Sequence, residues 1–310
     1  MSVLICGSVA FDTIMIFQDR FKNHILPDKV HVLSVSFLVP EMRREFGGCA
    51  GNIAYNLKLL GGDPLPMATV GSDFAPYAQW MERHEIDRRH VSVVDDQFTA
   101  QAFITTDLDD NQITAFHPGA MNFSHLNEVS EAEGVEIGIV SPDGRDGMIR
   151  HAEQFVEAGI PFIFDPSQGL PMFSGDDLKR FISQATWMTV NDYEWELISE
   201  RTGWTKAQAQ QQLKALIITR GGEGSEIHCN DQTLQIPAAR ASSTTDPTGC
   251  GDAYRAGLLY GLTNELDWET TGRIASLMGT IKIEHHGTQN QSFEKSEFEA
   301  RFKEEFNREI

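Results

Sequence analysis

The chain has 310 residues and carries 25 Lys and Arg against 45 Asp and Glu, a formal net charge of -20. The length admits one large α/β domain or two modest ones, and 41% hydrophobic with 23% charged residues excludes a wholly disordered chain. The acidic excess argues against duplex nucleic acid or an anionic membrane surface as partner, because binding their phosphates needs surplus Lys and Arg.

A small anionic ligand stays open, since backbone N–H groups bind phosphate without net positive charge. No apolar run approaches the roughly 20 residues that span a bilayer. The opening MSVLICGSVAFD has no basic region or cleavage site and reads as a buried strand. Cys6, Cys49, Cys229 and Cys250 form no CxxC pair, and no HxxxH or HExxH occurs. A reducing, cytoplasmic setting without zinc is the expectation.

Along the chain, VLICGSVAF (3–11) is strand-like, and so is the β-branched VHVLSVSFLV (30–39). AGNIAYNLKLLGG (50–62) is helical: Ile53, Ala54, Leu57 and Leu60 share a face, and Gly61-Gly62 stop it. AQAFITTDLDDNQITAFHPGA (100–120) reads as a hairpin turning around Asp109, Asp110 and Asn111. Short buried strands follow at 135–142, 160–167, 185–191 and 215–222, with helices between them at 145–158 and 192–202. The last segment spaces Phe298, Phe302 and Phe306 along one helical stripe.

Strands separated by helices predict a parallel sheet covered on both faces, with ligands beyond the carboxyl ends of its strands. The segments 30–39 and 100–120 break that alternation. They form either a small second sheet acting as a lid or two ordinary edge strands. Without repeats or linkers, residues 1–310 read as a single domain.

Five constellations carry chemistry. In TTDPTGCGDAYRAGLLYGL (244–262), Gly249, Cys250 and Gly251 open a helix whose converging N–H groups would form an anion hole. Asp252 at its mouth either accepts a proton from an attacking hydroxyl or merely caps the helix. Gly47, Gly48 and Asn52 suit a polyhydroxyl ligand, because an amide side chain both donates and accepts. Asp12, expected at the carboxyl end of the first strand, can take two vicinal hydroxyls. In NDYE, Asn191 and Glu194 share one side of a helical turn and can hold Mg²⁺ through water. ITRGGEG (218–224) is a strand–glycine loop able to approach a nucleotide phosphate.

In order and spacing these motifs resemble the ribokinase-like (PfkB) carbohydrate and nucleoside kinase family, over essentially the whole chain. GGCAGNIAYNL is similar to its first signature, DPTGCGD to its second, and NDYE to its NxxE motif. DLDDNQITAFHPGA, FIFDPSQGLP and DPTGCGDAYRAG suggest the bacterial adenosine or broad-specificity nucleoside kinases.

The resemblance implies a three-layer α/β/α core with a mostly parallel sheet and a small β-sheet lid, from insertions at about 13–46 and 98–120. It implies Asp252 as catalytic base and Gly249, Cys250 and Gly251 as the anion hole. Asp12, Gly48 and Asn52 would hold sugar hydroxyls. Asn191 and Glu194 would serve the Mg²⁺–phosphate network, and Thr219, Gly221 and Gly224 the ATP side. Asp246 and Thr248 match a monovalent-cation site, usually K⁺, completed by carbonyls near Gly287. Pro247 and Cys250 depart from the usual Thr and Ala. A thiol at a helix N-terminus is expected to ionise more readily, which would make Cys250 oxidisable, whereas a small buried side chain is the plain alternative for both Cys250 and Cys49.

The implied activity is phosphorylation of a purine ribonucleoside 5′-hydroxyl by ATP. On the hairpin, Phe103 and Phe116 either stack on the purine or fill the lid's own small core, and Gln168 can bond a base edge. A free-sugar kinase and a non-catalytic purine-nucleoside sensor are the rivals. The family includes monomers and homodimers.

Overall fold

The two sets of side chains on the first strand, β1 (Ser2–Cys6), enter different cores. Val3 and Ile5 pack with residues of α1 (Cys49–Leu59), α2 (Ala75–Arg83), α7 (Cys250–Thr263) and α8 (Trp268–Ile283). Leu4 and Cys6 pack with α3 (Arg145–Ala158), α4 (Gly175–Gln184), α5 (Asp192–Thr202) and α6 (Lys206–Gln210). A strand buried on both faces reads as an unbroken apolar run, which is why VLIC shows no alternation. The computed structural model describes residues 2–25, 32, 34–109 and 111–310.

Among these, β1 joins a nine-stranded sheet with β4 (Asp63–Gly71), β5 (His90–Val94), β8 (Val135–Val140), β9 (Phe162–Phe164), β10 (Trp187–Asn191), β11 (Ala215–Thr219), β12 (Ser225–Cys229) and β13 (Gln232–Ile236). The order is β13-β12-β11-β10-β9-β8-β1-β4-β5. Pairing is parallel from β11 to β5 and antiparallel at β11–β12 and β12–β13. Asn230 and Asp231, both at positive φ, make the tight β12–β13 turn that such a hairpin requires. The chain builds from β1 to β5 on one side, then crosses back to lay β8 to β11 on the other. The order therefore reverses beside β1, where a crevice is expected at the strand ends. With helices on both faces, the core is the expected α/β/α sandwich. The C-terminal α9 (Lys295–Phe306) buries Phe298 and Phe302, with Phe306 partly covered.

A four-stranded second sheet has the order β3-β2-β6-β7, from β2 (Ala10–Ile16), β3 (Glu41–Gly47), β6 (Ala100–Thr106) and β7 (Gln112–His117). Two expectations need correction. Residues 3–11 are not one strand: the chain leaves the large sheet at Cys6 and enters the small one at Ala10. Nor do the described residues of 30–39 supply a strand. Residues 30, 31 and 33 lie outside the described residues, and 34–39 make no strand. The strand is the charged EMRREFG at 41–47, which pairs with β2 in full register. Pairing with a partner outweighs intrinsic β preference there. The hairpin forms as expected, although Asp110 of its turn lies outside the described residues. Asp107 organises this turn by accepting from the N–H groups of Asp109 and Asn111, each at 2.9 Å. No helix among the described residues is long and apolar enough to cross a membrane.

Candidate active site

Gly249, in the left-handed region at φ 80°, caps α7; the Cys250 N–H donates to the Pro247 carbonyl at 3.2 Å, which leaves the first-turn N–H groups of Gly251 and Asp252 for an anion. A Cβ there would come within 3.0 Å of Thr288, so glycine also fits the close packing. Asp252 lies in the first turn but does not cap the helix. Its Oδ2 accepts a 2.8 Å hydrogen bond from Asn52 Nδ2, reaching across from α1. The two motifs separated by 200 residues thus meet at one carboxylate. Burial pushes the Asp252 carboxyl up to about 6, against the opposing pull of the Asn52 amide and the Arg255 cation.

Asn52 is itself held. Its Oδ1 accepts from Gln289 Nε2 at 2.9 Å, and Gln289 Oε1 accepts from Trp80 Nε1 at 2.8 Å. Gln289 Nε2 also donates to the Tyr77 hydroxyl, which donates in turn to the Gly47 carbonyl at 2.8 Å. The chain of bonds runs from the end of β3 to Asp252, and sequence reading missed all three outer members. Gln289 lies 237 residues from Asn52, so no local period points to it.

Beneath the turn, Arg255 was missed as well. It is 4% exposed and forms a two-pronged ion pair with the 1%-exposed Asp165, at 3.0 and 2.9 Å. It also donates to the Gly251 carbonyl at 3.2 Å, which ties the anion-hole turn to a buried charge. An Arg inside the otherwise apolar AYRAGLL was the available signal, because Arg is almost never fully buried unless paired.

Asp12 is not at the carboxyl end of β1. It lies in β2, with Glu45 directly opposite on β3 and Ala102 beside it on β6. Burial, then the neighbouring Glu45 and Asp246 carboxylates, push its carboxyl up to about 6. Gly48 has a φ of 83°, and a Cβ there would lie 2.5 Å from the Ser8 carbonyl oxygen. No other residue permits that approach between β3 and the start of α1.

Phe116 pairs with Ala102 and so shares the Asp12 face of the small sheet, about half exposed. Phe103 pairs with Ala115 and points to the opposite face, so the expected stacking pair is separated. Gln168 is exposed in the turn after β9, and Ser167, not Gln168, lines the neighbouring cavity.

That cavity, about 560 Å³, opens at the carboxyl ends of β10 and β11 and reaches the α7 turn. Asn191, Glu194, Thr219, Gly221 and Gly224 all line it, with Cys250 and Gly251 at its inner end. Asn191 and Glu194 do lie together, but as a capping box for α5: Asn191 Oδ1 accepts from Glu194 N at 2.7 Å, and Glu194 Oε2 accepts from Asn191 N at 2.8 Å. Burial raises the Glu194 carboxyl, against the attraction of Arg255.

No cluster of three or more His, Cys, Asp or Glu among the described residues could hold a metal by itself. Two carboxylate residues, Asp192 and Glu194, line the cavity, and they are oxygen donors of the kind a hard cation prefers. The Cys250 thiol is pushed up to about 11 by burial, the reverse of the expected activation. Cys49 is likewise raised by burial.

The expected monovalent-cation site does not fit. Asp246 spends one carboxylate oxygen on Thr248 N at 2.9 Å and the other on Gly287 N at 3.0 Å. Between these same loops stands Lys282, whose ammonium donates to the Asp246 carbonyl at 2.9 Å and the His285 carbonyl at 3.0 Å.

Comparison with known proteins identifies the family. The family model described as "pfkB family carbohydrate kinase" matches residues 8–295. The nucleoside kinase of Burkholderia thailandensis in complex with inosine is 53% identical, with a TM-score of 0.90 and 99% of each chain covered. Its complex with ADP-inosine gives 55% identity and a TM-score of 0.88, over 99% of this chain and 97% of that one. A nucleoside kinase of Methanocaldococcus jannaschii is 30% identical, over 83% of this chain and 85% of its own length. The chain belongs to the pfkB family of carbohydrate kinases, grouped by sequence and fold with its nucleoside kinases.

Proposed function

We propose that this kinase transfers the γ-phosphoryl group of ATP to the 5′-hydroxyl of a purine ribonucleoside such as inosine or adenosine, releasing ADP and the nucleoside monophosphate. The observation that carries the reading is the Asn52–Asp252 bond, which joins the motif at the end of the small sheet to the Gly249–Gly251 turn at the edge of the cavity. Asp252, ionised above about pH 6, is a stronger base than an ordinary carboxylate and takes the hydroxyl proton.

The Asn52 amide aims one oxygen and leaves the other for the substrate. The N–H groups of the α7 turn receive the charge of the transferring group, a task that is mostly positioning and electrostatics. Asp12 accepts from ribose hydroxyls, and Phe116 covers the base. Asn191, Glu194, Thr219, Gly221 and Gly224 border the ATP phosphates. Mg²⁺, when bound with ATP through Glu194 and water, neutralises phosphate charge.

The Burkholderia relative, whose complexes hold inosine and ADP-inosine, supports the choice of nucleoside. The test is ADP release with Mg²⁺-ATP against adenosine, inosine, guanosine, cytidine, ribose and fructose. Turnover on purine nucleosides is expected. Turnover on the free sugars alone would overturn the substrate, and binding without turnover would overturn the catalysis.

A further inference from the structure

Lys282 lies in the last turn of α8, where a cation suits the helix dipole, but such a lysine ordinarily reaches water and this one does not. It stands between Ile281 and Ile283, and it is 0% exposed. A buried ammonium loses several kcal/mol of hydration, and the usual remedy is an ion pair. Among the described residues its ammonium forms no salt bridge; the Asp246 carboxylate is near enough to attract it but does not bond it. Its partners are instead two backbone carbonyls, of Asp246 and His285, on two different loops. Carbonyl oxygens converging on a single positive charge are the donor set of a monovalent cation, not of a salt bridge.

The loops so joined carry the rest of the site. Asp246 begins the segment that ends in the anion-hole glycines. The segment after His285 contacts every other part: Gly287 N donates to Asp246, Thr288 to the Phe46 carbonyl at 2.6 Å, Gln289 to Asn52, and Asn290 to Glu45 at 3.0 Å. A cation at this junction holds the segment leading to the anion-hole turn against the loop that positions Asn52, and through it Asp252.

We propose that the Lys282 ammonium does the work of the monovalent cation implied by the family resemblance, so that this enzyme needs no K⁺. A lysine supplies one positive charge with three donors, tethered rather than taken from solution. The Asp246 carboxylate, relieved of ligating an ion, caps the two loops instead. The proposal rests on the role given above to the Gly249–Gly251 turn.

The experiment uses the full chain in a buffer whose sole monovalent cation is tetramethylammonium, with K⁺ then added. For the native protein, turnover on inosine is expected to change by less than about twofold, a general salt effect, and the melting temperature not at all. Lys282→Met is expected to lose at least ~10-fold in turnover without K⁺ and to regain it, with a higher melting temperature, when K⁺ is added. Tenfold activation of the native protein by K⁺ would overturn the proposal. So would a Lys282→Met protein that is fully active and K⁺-insensitive.

If Lys282→Met does not fold, uptake of Rb⁺ by the native protein decides: one ion bound per chain overturns the proposal, and none supports it. The melting and Rb⁺ readings do not depend on turnover. A failure to phosphorylate nucleosides would therefore be told apart from a failure of the lysine's role.

Discussion

Two carboxylates of this site, Asp12 and Asp252, are both moved by burial to about 6, but by different routes. Asp12, on the small sheet, is raised further by two like charges, Glu45 and Asp246. Asp252, at the helix terminus, has its burial partly offset by the Asn52 amide and the Arg255 cation. Equal values thus conceal opposite designs. The Asp12 environment resists ionisation, which suits a group that shares hydrogen bonds with hydroxyls. The Asp252 environment supports the anion, which suits a group that must take a proton and release it.

The largest difference should come from removing each charge in turn. Asp252→Asn is expected to lower kcat by ~10²–10⁴-fold while retaining nucleoside binding, as loss of a general base does. Asp12→Asn should act mainly on KM, by about tenfold, because it holds substrate without entering the proton transfer. Steady-state kinetics with a binding titration checks both. If the two variants fail alike in kcat, the contrast between the two carboxylates is wrong.

The next test removes the cation that distinguishes them. Arg255→Met leaves Asp165 buried and unpaired, which should cost about 3–5 kcal/mol of stability in denaturant unfolding. Arg255→Met combined with Asp165→Leu should recover most of that loss, since an apolar pair avoids the buried charge. It should not recover turnover, because the Gly251 carbonyl has still lost its donor. Full turnover in the double variant would remove Arg255 from any role in shaping the anion hole.

A smaller effect has the opposite sign. A carboxyl whose pKa rises on folding is stabilising when protonated and costs stability once ionised. For Asp252 the cost grows between about pH 4 and 6 and is complete above. Asp252→Asn should therefore melt higher than the native protein at pH 8, by about 2 kcal/mol or some 4 °C, and equally at pH 3.5. A lower melting temperature at pH 8 would mean that the carboxylate is better solvated than its surroundings indicate.

How far such features can be read from sequence depends on the range of the interaction. Helices 145–158 and 192–202 are legible to the residue, because Gly159 and Gly203 end them in the left-handed region and Asn191 caps the second. The DPTGCGD turn is legible for the same reason: a glycine turn and a helix start are local. The neighbours of Asp252 are not. Asn52 is drawn in by its motif, but Gln289, Tyr77, Arg255 and Lys282 act through partners that only the folded chain brings near.

The small sheet shows the same limit. Its hairpin is read correctly, yet the faces of Phe103 and Phe116 follow from a register that no single strand contains. Strand β3 is disguised by its charges, three of which, Glu41, Arg43 and Glu45, lie on the Asp12 face.

Glu45 supplies the finest test of the comparison. It stands opposite Asp12, and its carboxylate also accepts from Asn290, on the loop anchored by Lys282. Glu45→Gln keeps the shape and removes one of the two like charges holding Asp12 up. The Asp12 carboxyl should then ionise at lower pH, and the acid limb of the KM profile should move down by less than about one pH unit. The acid limb of kcat, set by Asp252 in the substrate complex, should stay near pH 6, because burial rather than Glu45 governs that group. Separate movement of the two limbs would assign each to its own carboxylate. Joint movement would mean that Asp12 and Asp252 titrate as one coupled pair across the bound nucleoside, and the division between holding and deprotonating would dissolve.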